Sequence, residues 1–286
     1  MTDRRPTYRP AKRRFGQHFL EAVWAAKVIG AIAPDAGDTF IEIGPGRGAM
    51  TRRLAAAARG VLAYEIDRDL AAALHHEAVP GLHVVETDFL TVSGADIARD
   101  LAAATPRGDA RPGERLRVVG NLPYNVASPI LFRLVALFLA GLAIDDATVM
   151  LQREVADRLA AEPGTKDYGV LTVLIRHCAT VERVLQLPPG AFRPAPQVRS
   201  TVLRLRFHPP DPPVSDRAVF SQIVQAIFTR RRKTIANALL AYPPAAGGAL
   251  AGVLESAGLD SRRRPETLSI AELVRLADTV RPRLAV

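Results

Sequence analysis

Two short motifs hold the residues best suited to chemistry. The first is Phe40-Ile41-Glu42-Ile43-Gly44-Pro45-Gly46-Arg47-Gly48, and the second is Val118-Val119-Gly120-Asn121-Leu122-Pro123-Tyr124. The first reads as a strand running into a glycine-rich turn, where backbone without Cβ atoms lets a nucleotide-like ligand approach closely. Such a turn alone also fits NAD enzymes or a simple tight turn. Two acids in register sharpen the reading. Glu65 ends the next predicted strand, where a carboxylate can accept from two ribose hydroxyls, and Asp88 ends the third, placed for an adenine amine. NAD is the weaker alternative, because no His or Lys stands out for proton transfer.

The second motif suits a planar base with an exocyclic amine. That amine is a poor nucleophile, since its lone pair is delocalised into the ring. The Asn121 side-chain oxygen and the Leu122 carbonyl can accept its two hydrogens and free the lone pair. Pro123 stiffens the turn and has no N–H to compete. Tyr124 offers a face for an extruded base. Paired with S-adenosylmethionine, whose leaving group is already good, such a site needs in-line positioning and neither metal nor strong base. Methyl transfer to an adenine amine is the expectation. Read in isolation, Asn-Leu-Pro-Tyr is better taken as an ordinary strand-to-loop turn; after this strand order it is not.

These residues need a scaffold that sets strand ends side by side. The pattern predicts a helix over 22–32, then strands at 39–43, 61–65, 82–86, 116–119 and 147–151. Helices are predicted over 49–58, 68–77 and 129–139, the last with Ser128 as N-cap and Pro129 in its first position. Strand–helix alternation implies a doubly wound parallel α/β sheet. Residues 180–187 and 198–207 read as a later strand pair added to it. Segment 91–115 is long and holds a Pro/Gly/Arg-rich surface loop at 105–115, a loop insertion in preference to an RNA contact. His208-Pro-Pro-Asp-Pro-Pro-Val214 is the best boundary. The expected division is a basic arm (1–14) without fixed structure, a catalytic domain (15–207), a linker (208–214) and a small α-helical domain (215–286), with helical period over 217–240 and 270–280.

The 286 residues carry a formal net charge of +9 and are 48% hydrophobic, so the chain can bury a core and favours a polyanion, nucleic acid before an acidic membrane surface. One cysteine, Cys178, excludes an intramolecular disulfide and a multi-cysteine zinc site. It reads as a buried small hydrophobe. No apolar run reaches membrane-spanning length and no apolar signal core follows the first residues, so a cytoplasmic setting is expected. Basic residues cluster at Arg4 to Arg14, at Arg230-Arg231-Arg232-Lys233 and at Arg262-Arg263-Arg264. Four consecutive cations wrap most of a helix, so part of the second run faces solvent or pairs with acids, and the rest is available to phosphates.

At these residues the chain resembles the ribosomal RNA adenine dimethyltransferases, most closely their housekeeping small-subunit (kasugamycin-sensitivity) branch. The resemblance runs from Arg13-Arg-Phe-Gly-Gln-His-Phe-Leu20 through Glu42-Ile-Gly-Pro-Gly46, Glu65-Ile-Asp-Arg-Asp69, Gly120-Asn-Leu-Pro-Tyr124 and Met150-Leu-Gln-Arg-Glu154. It continues through Pro188-Pro-Gly-Ala-Phe192-Arg-Pro194-Ala-Pro196-Gln-Val198-Arg-Ser200 to Arg231-Arg-Lys-Thr-Ile235. It implies a Rossmann-like class I methyltransferase sheet with a small C-terminal helical domain. It implies cofactor contacts from His18, Leu20, Gly44, Glu65, Asp88 and Asn121, to which the glycine-turn reading adds Gly46; the charge clusters, read by themselves, offer Arg13, Arg14, Arg230, Arg231, Arg232 and Lys233 to phosphates. It further implies that Asn121, Leu122, Pro123 and Tyr124 hold the target and that Phe192 faces Tyr124 across the base. Phe192 also reads as a core anchor. His18 stands where the family usually has asparagine.

The implied reaction is N6,N6-dimethylation of two adjacent adenines in the last helix of 16S rRNA, on the 30S subunit or its precursor, by a monomer. Competing readings are a 23S rRNA adenine methyltransferase of the resistance type and a non-catalytic RNA-binding assembly or transcription factor on the same fold.

Overall fold

A computed structural model describes residues 16–104, 115–243 and 252–280. In chain order the elements are β1 (Phe19–Leu20), α1 (Ala22–Ile32), β2 (Asp38–Ile43), α2 (Thr51–Ala57), β3 (Gly60–Glu65), α3 (Arg68–Glu77), β4 (Leu82–Glu86), α4 (Gly94–Ala104), β5 (Arg115–Asn121) and α5 (Ala127–Leu139). Then come β6 (Ile144–Gln152), α6 (Arg153–Leu159), α7 (Val170–Arg176), β7 (Ala179–Leu187), β8 (Phe192–Arg193), β9 (Ser200–Phe207), α8 (Arg217–Phe228), α9 (Ile235–Leu239), α10 (Val253–Ser256) and α11 (Ile270–Val280).

The main sheet has seven strands in the order β4-β3-β2-β5-β6-β9-β7. The pairs β4–β3, β3–β2, β2–β5 and β5–β6 are parallel. Strands β2, β3 and β5 are buried almost throughout, as parallel strands covered on both faces must be. The chain order reverses between β2 and β5, so the crevice beyond their carboxyl ends is where ligands bind in such sheets. Gly120 lets β5 pass close to β2: a Cβ there would lie 2.9 Å from the Ile43 carbonyl oxygen. The two-residue strands β1 and β8 form a separate antiparallel pair, Phe19 opposite Arg193 and Leu20 opposite Phe192.

The chain divides into two compact units: one of Met1–Ile130, Gly141–Arg153 and Arg183–Arg204, the other of Leu131–Ala140, Glu154–Glu182 and Leu205–Val286. This differs from an expected split at 208–214, because α7 packs on α8 and so groups with the C-terminal helices. Within the second unit, Phe220, Ile223, Val224 and Ile227 lie on one face of α8 and share a core with Leu273, Leu276 and Val280 of α11. Tyr168 is buried there and donates to the Leu268 carbonyl at 2.9 Å. Within the first unit, Arg117 is buried between Asp38 (2.7 Å) and Asp146 (3.0 Å) at the strand starts, the end of the sheet away from the glycine turn.

Several expected elements differ. Helix α5 starts at Ala127, so Ser128 and Pro129 sit inside its first turn, where a missing N–H costs nothing. Residues 94–104, expected within a loop insertion, form α4, which buries Ile97 and packs on β3 and β4; residues 105–114 lie outside the described residues. The single helical period over 217–240 is two helices, α8 and α9, with a turn at 229–234 between them.

Candidate active site

β2 carries Glu42 and Ile43 to the sheet edge, and the chain turns at once. Gly44 and Gly46 take positive φ, 67° and 58°. The Gly46 N–H donates to Glu65 Oε2 at 2.9 Å, and the Asp67 N–H donates to Glu65 Oε1 at 2.9 Å. The Glu65 carboxylate therefore clamps the glycine turn to the end of β3, each oxygen keeping a lone pair for a ligand. Burial raises its pKa, and the two backbone N–H bonds partly oppose that. Asp67 caps α3 and also accepts from Gln17 Nε2 at 2.9 Å, tying segment 16–20 to the same corner.

Beside it, β5 ends at Asn121. Asn121 Nδ2 donates to the His18 carbonyl oxygen at 2.6 Å. That bond uses the amide's donor side, and Oδ1 has no partner among the described residues. Leu122 is buried, and its N–H donates to the Met150 carbonyl at 3.2 Å, which anchors the turn to β6. The Tyr124 hydroxyl is 2.8 Å from Ser200 Oγ. Burial raises the Tyr124 phenol pKa, so the ring is neutral.

One cavity is lined by His18, Leu20, Gly44, Gly46, Glu65, Asn121, Leu122, Pro123 and Tyr124, so the structure brings these expected residues together. Asp88 lines an adjoining cavity of about 280 Å³ with Tyr64, Ile66, Phe89 and Ile130, and Gly44 and Pro123 border both. Asp88 Oδ1 accepts the Leu90 N–H at 2.9 Å, which aims the carboxylate and leaves Oδ2 for an amine.

Glu42, in the turn motif but without a role expected from its sequence, joins the candidate site. It lines the first cavity, has no exposed surface, and neither carboxylate oxygen has a hydrogen-bond partner; the nearby Thr51 hydroxyl is unbonded too. Burial pushes its pKa up to about 7, and the charge of Glu65 adds to the rise. A charged residue amid the apolar run of β2 was the available signal. An orphaned carboxyl beside a second buried carboxylate suits a ligand bearing positive charge, and S-adenosylmethionine carries a sulfonium and an ammonium. An apolar slot with one aimed carboxylate suits its adenine. The residues present thus fit this cofactor. Among the described residues no cluster of acids, histidines and cysteines could hold a metal.

Phe192 is placed differently from expectation. Its side chain has no exposed surface and packs in the core of the first unit beside Leu20, Ala191 and Val202, because β8 pairs with β1 and turns the ring inward. It offers no face to the cavity. The ring against Tyr124 is that of His18.

The cationic run is also placed differently. Arg230 to Lys233 lie in the turn between α8 and α9, not on a helix, and Thr234 caps the helix that follows. Arg231 pairs with Glu266 at 3.0 Å and donates to the Lys166 carbonyl at 2.6 Å, so it braces the unit. The Ile235 N–H donates to the Arg263 carbonyl at 2.6 Å, bringing loop 261–264 against the turn. Arg262 pairs with Asp260, and Arg263 with Glu272. Arg230, Arg232, Lys233 and Arg264 are exposed, and no carboxylate pairs with them among the described residues. Arg13 and Arg14 lie outside the described residues.

Residues 9–276 match the family described as ribosomal RNA adenine dimethylase. The chain is 42% identical to the ribosomal RNA small subunit methyltransferase A of Anaeromyxobacter sp. (strain K), covering 98% of this chain and 100% of that one. It is 41% identical to the protein of the same name from Xylella fastidiosa (strain 9a5c), covering 94% and 96%. Among solved structures, a dimethyladenosine transferase from Plasmodium falciparum shares the fold with a TM-score of 0.69 at 22% identity, over 91% of this chain and 96% of that one. The 23S rRNA methyltransferase ErmE superposes with a TM-score of 0.60 at 27% identity, over 92% and 99%. The chain belongs to the ribosomal RNA adenine dimethylases, a family of S-adenosylmethionine-dependent methyltransferases on a class I α/β sheet.

Proposed function

We propose that the chain dimethylates N6 of two adjacent adenines in the 3′-terminal helix loop of 16S rRNA, on the 30S subunit or its precursor. The observation that carries the chemistry is the Asn121 amide, whose Nδ2 is held by the His18 carbonyl at 2.6 Å and which lines the same cavity as Glu42 and Glu65. The small-subunit names of relatives at 40–42% identity support that target over 23S rRNA.

Glu65 holds the ribose hydroxyls, Asp88 the adenine amine, and Glu42 lies within the field of the cofactor's positive charge. Bound there, the cofactor supplies an electrophilic methyl on a sulfonium. Asn121 Oδ1 and the Leu122 carbonyl accept the target amine's hydrogens and turn its lone pair toward that methyl. Tyr124 stacks on the base, contributing ~1–3 kcal/mol. The rate gain comes from holding donor and acceptor in line. The methylated nitrogen is briefly cationic and sheds its proton to water.

Arg230, Arg232, Lys233 and Arg264 contact phosphates, while Arg231 and Arg263 hold the two loops that present them. The protein acts as a cytoplasmic monomer. The test is transfer of labelled methyl groups to 30S subunits lacking this modification, with 23S rRNA as the counter-substrate. Labelled 30S and unlabelled 23S is the expected result.

A further inference from the structure

The His18 imidazole lies against the Tyr124 ring, with centroids 5.3 Å apart and planes 26° from parallel. His18 Nδ1 is 2.7 Å from the Pro194 carbonyl oxygen, which can only accept, so Nδ1 carries the hydrogen. Both rings border the cavity that holds Asn121, Gly44 and Glu65. A base whose amine reaches both Asn121 Oδ1 and a methyl donor must cover Tyr124 from this side. A base between the two rings would need them roughly 7 Å apart, twice the ~3.4 Å rise of stacked bases. The observed spacing does not admit one.

We propose that the His18 side chain is a resident plug of the target-base slot, displaced when adenine enters. The proposal rests on the dimethylase reading of the site. The backbone and side chain of His18 are separable here. The backbone is pinned, since its carbonyl takes the Asn121 amide and the next two residues pair with β8. The ring is only half-buried and is held by the Pro194 hydrogen bond and the Tyr124 stack. It can therefore rotate away while the carbonyl goes on orienting Asn121. An entering base must out-stack imidazole and make up for the lost Pro194 bond. A two-ring purine covers more of Tyr124 than a one-ring pyrimidine does, so the plug favours purines at the slot.

The test compares the full-length protein with His18→Ala, His18→Asn and His18→Phe on 30S subunits lacking the modification. With S-adenosylmethionine at saturation for each variant, the expected result is a three- to tenfold fall in KM for the subunit with Ala and Asn and a comparable rise with Phe. Ala and Phe moving KM in the same direction, or neither moving it, overturns the plug. A second measurement needs no turnover. With S-adenosylhomocysteine saturating the cofactor pocket, the His18 Hδ2 proton resonance is followed as adenosine is added to millimolar concentration. Release of the ring from Tyr124 moves that resonance downfield, and a resonance that adenosine leaves unmoved overturns the plug. A resonance that moves in a protein that methylates no 30S subunit refutes the dimethylase reading and leaves the plug standing.

Discussion

Asn121 Nδ2 and the His18 carbonyl oxygen are 2.6 Å apart, so the amide at the end of β5 is oriented by a segment 103 residues earlier in the chain. The bond engages the donor end of the amide and leaves the acceptor end for a ligand. An acceptor that is already aimed costs no reorganisation when the target nitrogen pyramidalises.

Asn121→Ala is expected to lower kcat by about a hundredfold or more, the scale seen when one preorganised polar group is removed from a reaction centre. Cofactor affinity is expected to fall much less, because the acceptor matters most in the transition state. Single-turnover methylation together with calorimetry checks both; near-normal turnover contradicts the role.

Glu65→Ala removes the acceptor proposed for the ribose and the clamp on the Gly46 N–H. Hydrogen bonds to charged groups contribute ~1.5–3 kcal/mol, so S-adenosylmethionine binding is expected to weaken roughly tenfold to a hundredfold. Calorimetry showing unchanged affinity would place the ribose elsewhere.

Glu42 makes stability depend on pH. Its folded-state pKa is raised from 4.5 to about 7, so the native state holds the proton more tightly than the unfolded chain. That contribution is fully present below about pH 4.5 and is lost as pH rises through about 7. The change is roughly 3 kcal/mol. Glu42→Gln is expected to flatten this part of the profile, gaining stability over the parent at pH 8 and little at pH 4. Urea midpoints at the two pH values measure it, and equal differences at both contradict it.

How far the site was legible follows from where its residues sit. Glu65 and Asn121 close β3 and β5 in a regular strand–helix alternation whose period fixes where strand ends fall, whereas Asp88 lies two residues beyond β4, which ends at Glu86. Helices α1, α3 and α11 matched their expected limits because their apolar residues recur at helical spacing. Strands β1 and β8 are two residues each and carry no period. Phe192 looked equally apt as a wall or an anchor, and only its pairing opposite Leu20 turns it inward. The break between α8 and α9 was hidden because arginine and lysine are good helix formers. What breaks the helix is the Arg231–Glu266 pair and the Thr234 cap, both of which depend on context.

The two arginine classes in the C-terminal unit separate experimentally. Replacing Arg232 and Lys233 with alanine is expected to lower the slope of log affinity against log salt by about two, near one per phosphate released. Arg231→Ala is expected instead to destabilise the unit, since it unpairs the half-buried Glu266. Binding of 30S subunits across a salt series, alongside thermal melts, resolves them. Superimposable salt plots would make the turn a solvated face.

Arg117 tests the scaffold apart from the chemistry. Its guanidinium is buried between Asp38 and Asp146. Arg117→Met leaves Asp38 without a cationic partner and Asp146 with only Arg204, at 3.7 Å, and is expected to cost about 3–5 kcal/mol. Cofactor affinity of the protein that remains folded is expected to be unchanged, because the cluster lies at the strand starts. A weakened cofactor with unaltered melting contradicts that division.

The central claim is that this site places methyl groups on adenine amines of the small-subunit RNA. The most direct measurement is mass spectrometric mapping of nucleosides after reaction with 30S subunits lacking the modification, with 23S rRNA treated in parallel. The account predicts N6,N6-dimethyladenosine at two adjacent positions in the 3′-terminal loop of 16S rRNA, absent when Asn121→Ala replaces the parent. Methylation confined to 23S rRNA, or modification of 16S rRNA at an atom other than the adenine N6, would contradict it.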